Sequence, residues 1–171
     1  GLYEVYADGQ IFYTDEKITA ILAGSLIDGQ NMKNVTAERM QKLTAISFAD
    51  LPLELAFKQV RGDGKRVLAT FEDPNCGYCK RLAKDMIKLD NVTIYTFLMP
   101  ILSPDSLEKS NRLCCSSDRP NAWTDWMIDG KTPTGRTDCD TTAIQKSLEL
   151  GQKLAISGTP TIFFADGTRV P

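Results

Sequence analysis

The stretch from Lys65 to Leu98 reads as strand, helix, strand, and that order constrains the fold more than anything else in the 171 residues. Lys65-Arg66-Val67-Leu68-Ala69-Thr70-Phe71 and Val92-Thr93-Ile94-Tyr95-Thr96-Phe97-Leu98 are apolar, β-branched runs of strand length. Between them Leu82, Ala83, Met86, Ile87 and Leu89 recur at helical spacing. Two such strands joined by a helix predict a βαβ unit with a buried parallel pair. At the junction of the first strand and the helix stands FEDPNCGYCKRL, which sets Cys76 and Cys79 three positions apart.

The chain has no histidine, so nucleophilic chemistry with an imidazole base and zinc sites with a histidine ligand are excluded. Five cysteines, Cys76, Cys79, Cys114, Cys115 and Cys139, are then its most distinctive reactive groups. Five is odd, so one thiol stays unpaired in a monomer unless a metal takes several. A net charge of −2 gives no electrostatic footprint for nucleic acid. No apolar run approaches the roughly 20 residues of a membrane-spanning helix, so no membrane insertion is expected.

Before the βαβ unit, LYEVYADGQIFYTDEKITAILAGSLID alternates apolar and polar residues and predicts a meander of three strands, roughly 2–7, 10–14 and 18–27. Thr36 is placed to cap a following helix, with Glu38 in its first turn. So small a meander buries too little surface to stand alone and needs a partner. The expected boundaries are a β-rich N-terminal domain at 1–35, a linker helix region at 36–61, and a larger domain at 62–171. The last holds mostly helical sequence at about 104–155, where Asp140 is a candidate cap for a helix from Thr141 to Leu154. GTPTIFFADGTRVP then predicts a strand, an Asp166-Gly167 turn and a returning strand. No helix follows to cover that sheet, so the polypeptide is expected to continue.

A sulfur at the start of a helix lies where free backbone N–H groups favour negative charge, and a Cys76 thiolate gains from that. Cys79 falls a turn deeper, which predicts an exposed nucleophile and a sheltered resolving thiol. The pair could instead be half of a zinc site, but Cys114-Cys115 and Cys139 do not repeat its spacing. A purely structural disulfide would close too short a loop to gain much. Downstream, the Thr159-Pro160 step opens a strand. Read alone it is an edge-strand proline; read with the cysteine pair it predicts a cis bond that leaves backbone groups free for an extended peptide.

FEDPNCGYCKRL, the late GTPTIFFADGTRVP and the helical insertion between them resemble the thioredoxin-fold disulfide isomerases of the bacterial periplasm, the DsbC/DsbG family. Cys76-Gly77-Tyr78-Cys79 is closer to the DsbC branch, since the DsbG branch has proline after the first cysteine. The resemblance implies an α+β chain: a thioredoxin-like fold with a helical insertion, preceded by a small β-rich dimerisation domain, lacking its first helix, and a linker helix. It implies Cys76 as nucleophile, Cys79 as resolving thiol, and Thr159-Pro160 as the cis-proline element. Leu22-Ala23-Gly24-Ser25 would pair with a second subunit, Gly24 serving either close backbone approach or a turn. A structural disulfide Cys115–Cys139 is implied too. Cys114 is the departure: a buried apolar residue, a competitor for Cys139, or one end of a vicinal disulfide; the expectation is that it is free.

The activity so implied is disulfide isomerisation or reduction on misfolded, disulfide-containing exported proteins, by a periplasmic homodimer with no cofactor beyond its redox-active cysteine pair and no metal. A membrane electron donor of the DsbD type would keep it reduced. A dithiol oxidase, a peptide-binding chaperone with secondary cysteines, and a metal-binding module are the alternatives.

Overall fold

In the computed structural model, which describes residues 1–170, the chain forms two compact units, Gly1–Ala45 and a second beginning at Ile46. In the first, β1 (Tyr3–Ala7), β2 (Gln10–Thr14) and β3 (Ile21–Ala23) form an antiparallel sheet in that order. Asp8 and Gly9 make the first turn, both with positive φ. The helix α1 (Val35–Thr44) lies on the face that carries Ile11 and Tyr13; the Tyr13 and Thr36 hydroxyls bond, and Arg39 pairs with Glu4 at 2.9 Å. The opposite face presents Val5, Ala7, Phe12, Ile18 and Ile21 around an apolar concavity of about 310 Å³.

Two local expectations are corrected. The third strand is three residues long, not 18–27, because the Asp15 carboxylate accepts from the Thr19 and Ala20 amides and curls the chain. Ile18 at φ 55° and Gly24 at φ 150° then interrupt extended backbone on either side. The cap of α1 is Asn34, whose side chain accepts from the Ala37 amide at 2.9 Å. Thr36 is already helical, and its hydroxyl accepts from the Leu26 amide.

The second unit is built on a five-stranded sheet ordered β4-β6-β5-β7-β8, from β4 (Phe57–Arg61), β5 (Arg66–Glu72), β6 (Val92–Leu98), β7 (Thr161–Phe164) and β8 (Arg169–Val170). Only β5 and β6 are parallel, in register from Arg66↔Val92 to Glu72↔Leu98. Their crossover is α2 (Gly77–Met86). The connector is shorter than the predicted 36–61: residues from Ile46 belong to this unit, Leu51 is buried, and β4 pairs along β6. Its pattern hides this strand because an inward-facing residue is polar; the Gln59 amide donates to the Thr124 hydroxyl and the Pro120 carbonyl.

Between β6 and β7 the chain adds α3 (Pro104–Cys114), α4 (Arg119–Asp129) and α5 (Thr142–Lys153). Ser103 caps α3 and Asp118 caps α4, each ahead of a proline in the first turn that needs no amide partner. At α5 the cap position is Thr141, one residue later than Asp140, although the Asp140 carboxylate still accepts from the Thr142 amide. One sheet face packs Phe71 between Phe97, stacked at 4.5 Å, and Phe163, edge-on at 5.7 Å. Each such pair contributes about 0.5–1.5 kcal/mol beyond its buried area. A second cluster, built by residues of α2, α3, α4 and the start of α5, joins Phe57, Leu98, Leu113, Trp123, Met127 and Ile144 to both Cys76 and Cys79. No helix among the described residues is long and apolar enough to cross a membrane.

Candidate active site

Cys76 is the N-cap of α2. Its sulfur accepts from the Cys79 amide at 3.4 Å and its thiol donates to the Thr159 carbonyl at 3.1 Å. Both cysteines are free thiols. Cys76 is 5% exposed and Cys79 0%, which corrects the picture of an openly exposed nucleophile: the 158–160 loop lays a carbonyl over its sulfur. The ordering survives, with Cys79 the deeper. Gly77 borders open space and Tyr78 is 72% exposed, so the rim of the site is formed by these two residues. The Thr159–Pro160 bond is cis. Tyr78, Arg81, Leu82, Thr159, Pro160 and Ile162 line an open groove of about 370 Å³ beside the sulfur.

The loop carrying Cys76 is tied down by residues that the sequence reading passed over. Asp73 is wholly buried, and its carboxylate accepts from the amides of Asn75 at 2.7 Å, Ile101 at 2.8 Å and Leu102 at 2.9 Å. The Asn75 side chain donates to Ser103, Asp105 and Ser106, and the Trp126 indole donates to the Pro74 carbonyl at 2.6 Å. Lys80 and Lys109 hold their ammonium groups 4.2 and 4.8 Å from the Trp126 ring centre. Asp73→Ala strips three partly buried amides of their acceptor. At about 1–3 kcal/mol for each unsatisfied group, relieved in part by relaxation, the expected loss is about 3–5 kcal/mol. Urea unfolding measures it; a loss below about 1 kcal/mol would show that the amides find other partners.

A second carboxylate lies on the same strand end. Glu72 is 4% exposed, and burial pushes its pKa up to about 7 against a hydrogen bond with Thr70 that lowers it. Burial raises the Cys79 thiol as well, and the neighbouring Glu72 charge raises it further. Glu72 Oε2 and Arg61 Nε both line a cavity of about 20 Å³ and neither has a hydrogen-bond partner within the protein. The sequence held one pointer to these groups: Glu72-Asp73 ends a strand that is otherwise apolar, where acidic side chains are rare unless they have work to do.

Away from this centre, Cys115 and Cys139 are joined in a disulfide with Cα atoms 5.6 Å apart, while Cys114 is free and buried. The disulfide pins the end of α3 to the segment before α5. Gly135 permits that approach, since a Cβ there would lie 2.1 Å from the Arg112 carbonyl oxygen. Leu22 and Ala23 lie exposed on β3, an edge strand, followed by exposed Gly24 and Ser25. A Cβ at Gly24 would meet nothing within 4 Å, so its positive φ, not crowding within the chain, requires glycine. Among the described residues no group of three or more histidine, cysteine, aspartate or glutamate side chains is placed to hold a metal ion.

A cysteine pair where a central strand meets a helix, faced by a cis-proline loop on a mixed sheet, defines a thioredoxin-fold protein of the thiol–disulfide class. Residues 53–171 match the family described as thioredoxin-like domain, and residues 1–37 match the disulfide bond isomerase protein N-terminal domain. The chain belongs to the DsbC/DsbG family of thiol:disulfide interchange proteins. It is 50% identical over 170 residues to the "Probable thiol:disulfide interchange protein DsbC" of Bordetella parapertussis, covering 99% of this chain and 60% of that protein. The thiol:disulfide interchange protein DsbC of Escherichia coli is 24% identical over 175 residues, covering 100% of this chain and 72% of that one. The crystal structure of a disulfide interchange protein from Neisseria gonorrhoeae superimposes with a TM-score of 0.67 at 43% identity, over 70% of this chain and 86% of the other. The chain thus spans about 60% of the length of its Bordetella relative.

Proposed function

We propose that this chain carries the thiol–disulfide exchange site of a periplasmic protein disulfide isomerase and reductase. The observation that carries the reading is the Cys76 sulfur, at the start of α2, hydrogen-bonded by the Cys79 amide and in contact with the Thr159 carbonyl, a residue that lines the open groove. Cys76 attacks one sulfur of a wrong disulfide and forms a mixed disulfide, releasing the other substrate sulfur as thiolate. A second substrate thiolate then attacks the substrate sulfur of that bond and frees Cys76. This is isomerisation, with no net electron transfer.

In the reductive branch Cys79 attacks the Cys76 sulfur, the substrate leaves as a thiol, and the protein keeps the disulfide. Cys79 must lose a proton in a dry site next to Glu72, where two negative charges repel strongly. Glu72 as carboxylate accepts that proton, so thiolate and carboxylate need not coexist. The oxidised pair then requires a dithiol reductant, for which a membrane donor of the DsbD type is the fitting partner. The bare face of the N-terminal sheet and the edge strand Ile21–Ala23 suit a homodimer. Misfolded exported proteins with wrong disulfides are the substrates.

The test is reactivation of scrambled ribonuclease in a glutathione buffer. The chain is expected to speed reactivation several-fold over glutathione alone, and equal rates would overturn the proposal. A reduction potential near the roughly −120 mV of a strong oxidant would assign it to disulfide donation instead.

A further inference from the structure

Three cysteines converge at the end of α3, and the exchange chemistry above uses none of them. The Cys115–Cys139 disulfide crosses from this helix end to the segment before α5, and Cys114 is the residue next to it. The sulfurs of Cys114 and Cys139 each lie 3.8 Å from one oxygen, the carbonyl of Asp140. They are therefore no further apart than twice 3.8 Å. Cys114 also borders a small cavity of about 10 Å³, shared with Phe57, Leu98, Ile144 and Ser147, so its sulfur is not tightly enclosed on every side. Cys139 is exposed, in the segment between α4 and α5, where a side-chain rotation displaces no core residue.

We infer that Cys114, Cys115 and Cys139 form an exchangeable unit, in which Cys114 can replace Cys115 as the partner of Cys139. The Cys114 thiolate attacks Cys139 Sγ, the Cys139–Cys115 bond breaks, and a Cys114–Cys139 bond forms. Cys115 leaves as thiolate and takes up the proton that Cys114 gave to solvent. One disulfide and one thiol stand on each side of the reaction, so no oxidant or reductant is needed.

The two isomers are not equivalent. Cys114 packs in the same core cluster as Cys76, Cys79, Leu113 and Trp123, whereas Cys115 is only half buried. Drawing the Cys114 sulfur out to Cys139 opens a gap in the packing beneath the active-site cysteines. Burial also raises the Cys114 thiol above its ordinary value, with the Asp140 charge adding to the effect and Arg119 opposing it. The Cys115 form is therefore the resting one, and the exchange is slow and returns to it.

The experiment maps the bond in the 171-residue chain with Cys76 and Cys79 both replaced by alanine, so that the active site cannot catalyse the swap. The folded protein is incubated without denaturant, quenched in acid at intervals, alkylated and digested. Fragmentation between Cys114 and Cys115 locates the alkyl group. Label is expected on Cys114 in most molecules and on Cys115 in a minor share, which also carries a Cys114–Cys139 cross-link. Cys115→Ser, oxidised with glutathione, is expected to form that same cross-link and supplies the reference peptide. If label stays on Cys114 at all times, the inference is overturned, whatever the variant does. It is also overturned if Cys115→Ser keeps Cys114 and Cys139 as free thiols.

Discussion

Cys76→Ser is expected to bring reactivation of scrambled ribonuclease down to the rate of glutathione alone. A serine hydroxyl is not ionised near neutral pH and cannot form the mixed disulfide, so the first step has no substitute. Cys79 cannot take over: it is 0% exposed, and burial and the Glu72 charge both hold its thiol protonated. Cys79→Ser has the opposite signature. Attack by Cys76 proceeds, but no resolving thiol follows, so covalent adducts of chain and substrate accumulate and disappear on treatment with dithiothreitol. Isomerisation through a second substrate thiol continues in that variant, while net reduction stops. Full isomerase activity in Cys76→Ser would remove the assignment of nucleophile and resolving thiol together.

Glu72→Gln is expected to flatten both a stability profile and a rate profile. The folded-state pKa of Glu72, about 7, lies above its ordinary 4.5, so the folded chain holds this proton more tightly than the unfolded one. Its contribution is complete below pH 4.5 and is lost as pH rises through about 7. At 1.36 kcal/mol per pH unit the change is about 3 kcal/mol. The stability of Glu72→Gln relative to the parent is therefore expected to rise by about 3 kcal/mol between pH 4.5 and pH 8, as read from urea midpoints. In single-turnover release of a substrate thiol by Cys79, the parent rate is expected to climb through pH 7. The variant is expected to lose that inflection and to run about a hundredfold slower above it, the low end for loss of a positioned proton acceptor. An unchanged pH profile would limit Glu72 to a structural part.

How much of this was legible in the residues depends on the interaction that decides each element. The strand–helix–strand order came through because β5, α2 and β6 bury apolar side chains at their own natural spacings, and backbone and burial agree there. β4 did not, since an edge strand is fixed by its neighbour's hydrogen bonds and carries Lys58, Gln59 and Arg61 where a core strand would carry apolar residues. The short β3 was lost to Asp15, whose carboxylate captures two amides in a way that no alternation pattern encodes. At the site, Cys76, Cys79 and Thr159-Pro160 were visible as a motif, and their proximity is now a distance. Glu72 and Asp73 were visible as residues but not as functional groups. Their weight comes from burial and from amides about 28 positions away on Ile101 and Leu102, which only the folded chain brings near.

Both tryptophans of the sequence, Trp123 and Trp126, stand on α4, one packed in the cluster that holds Cys76 and Cys79 and the other bonded to the loop before Cys76. The N-terminal unit contributes only tyrosine light. Indole emission excited near 295 nm is therefore a private channel for the second unit, close enough to the sulfurs for a thiolate or disulfide to quench it. Titrating oxidant while watching that band would follow the cysteine pair without a label.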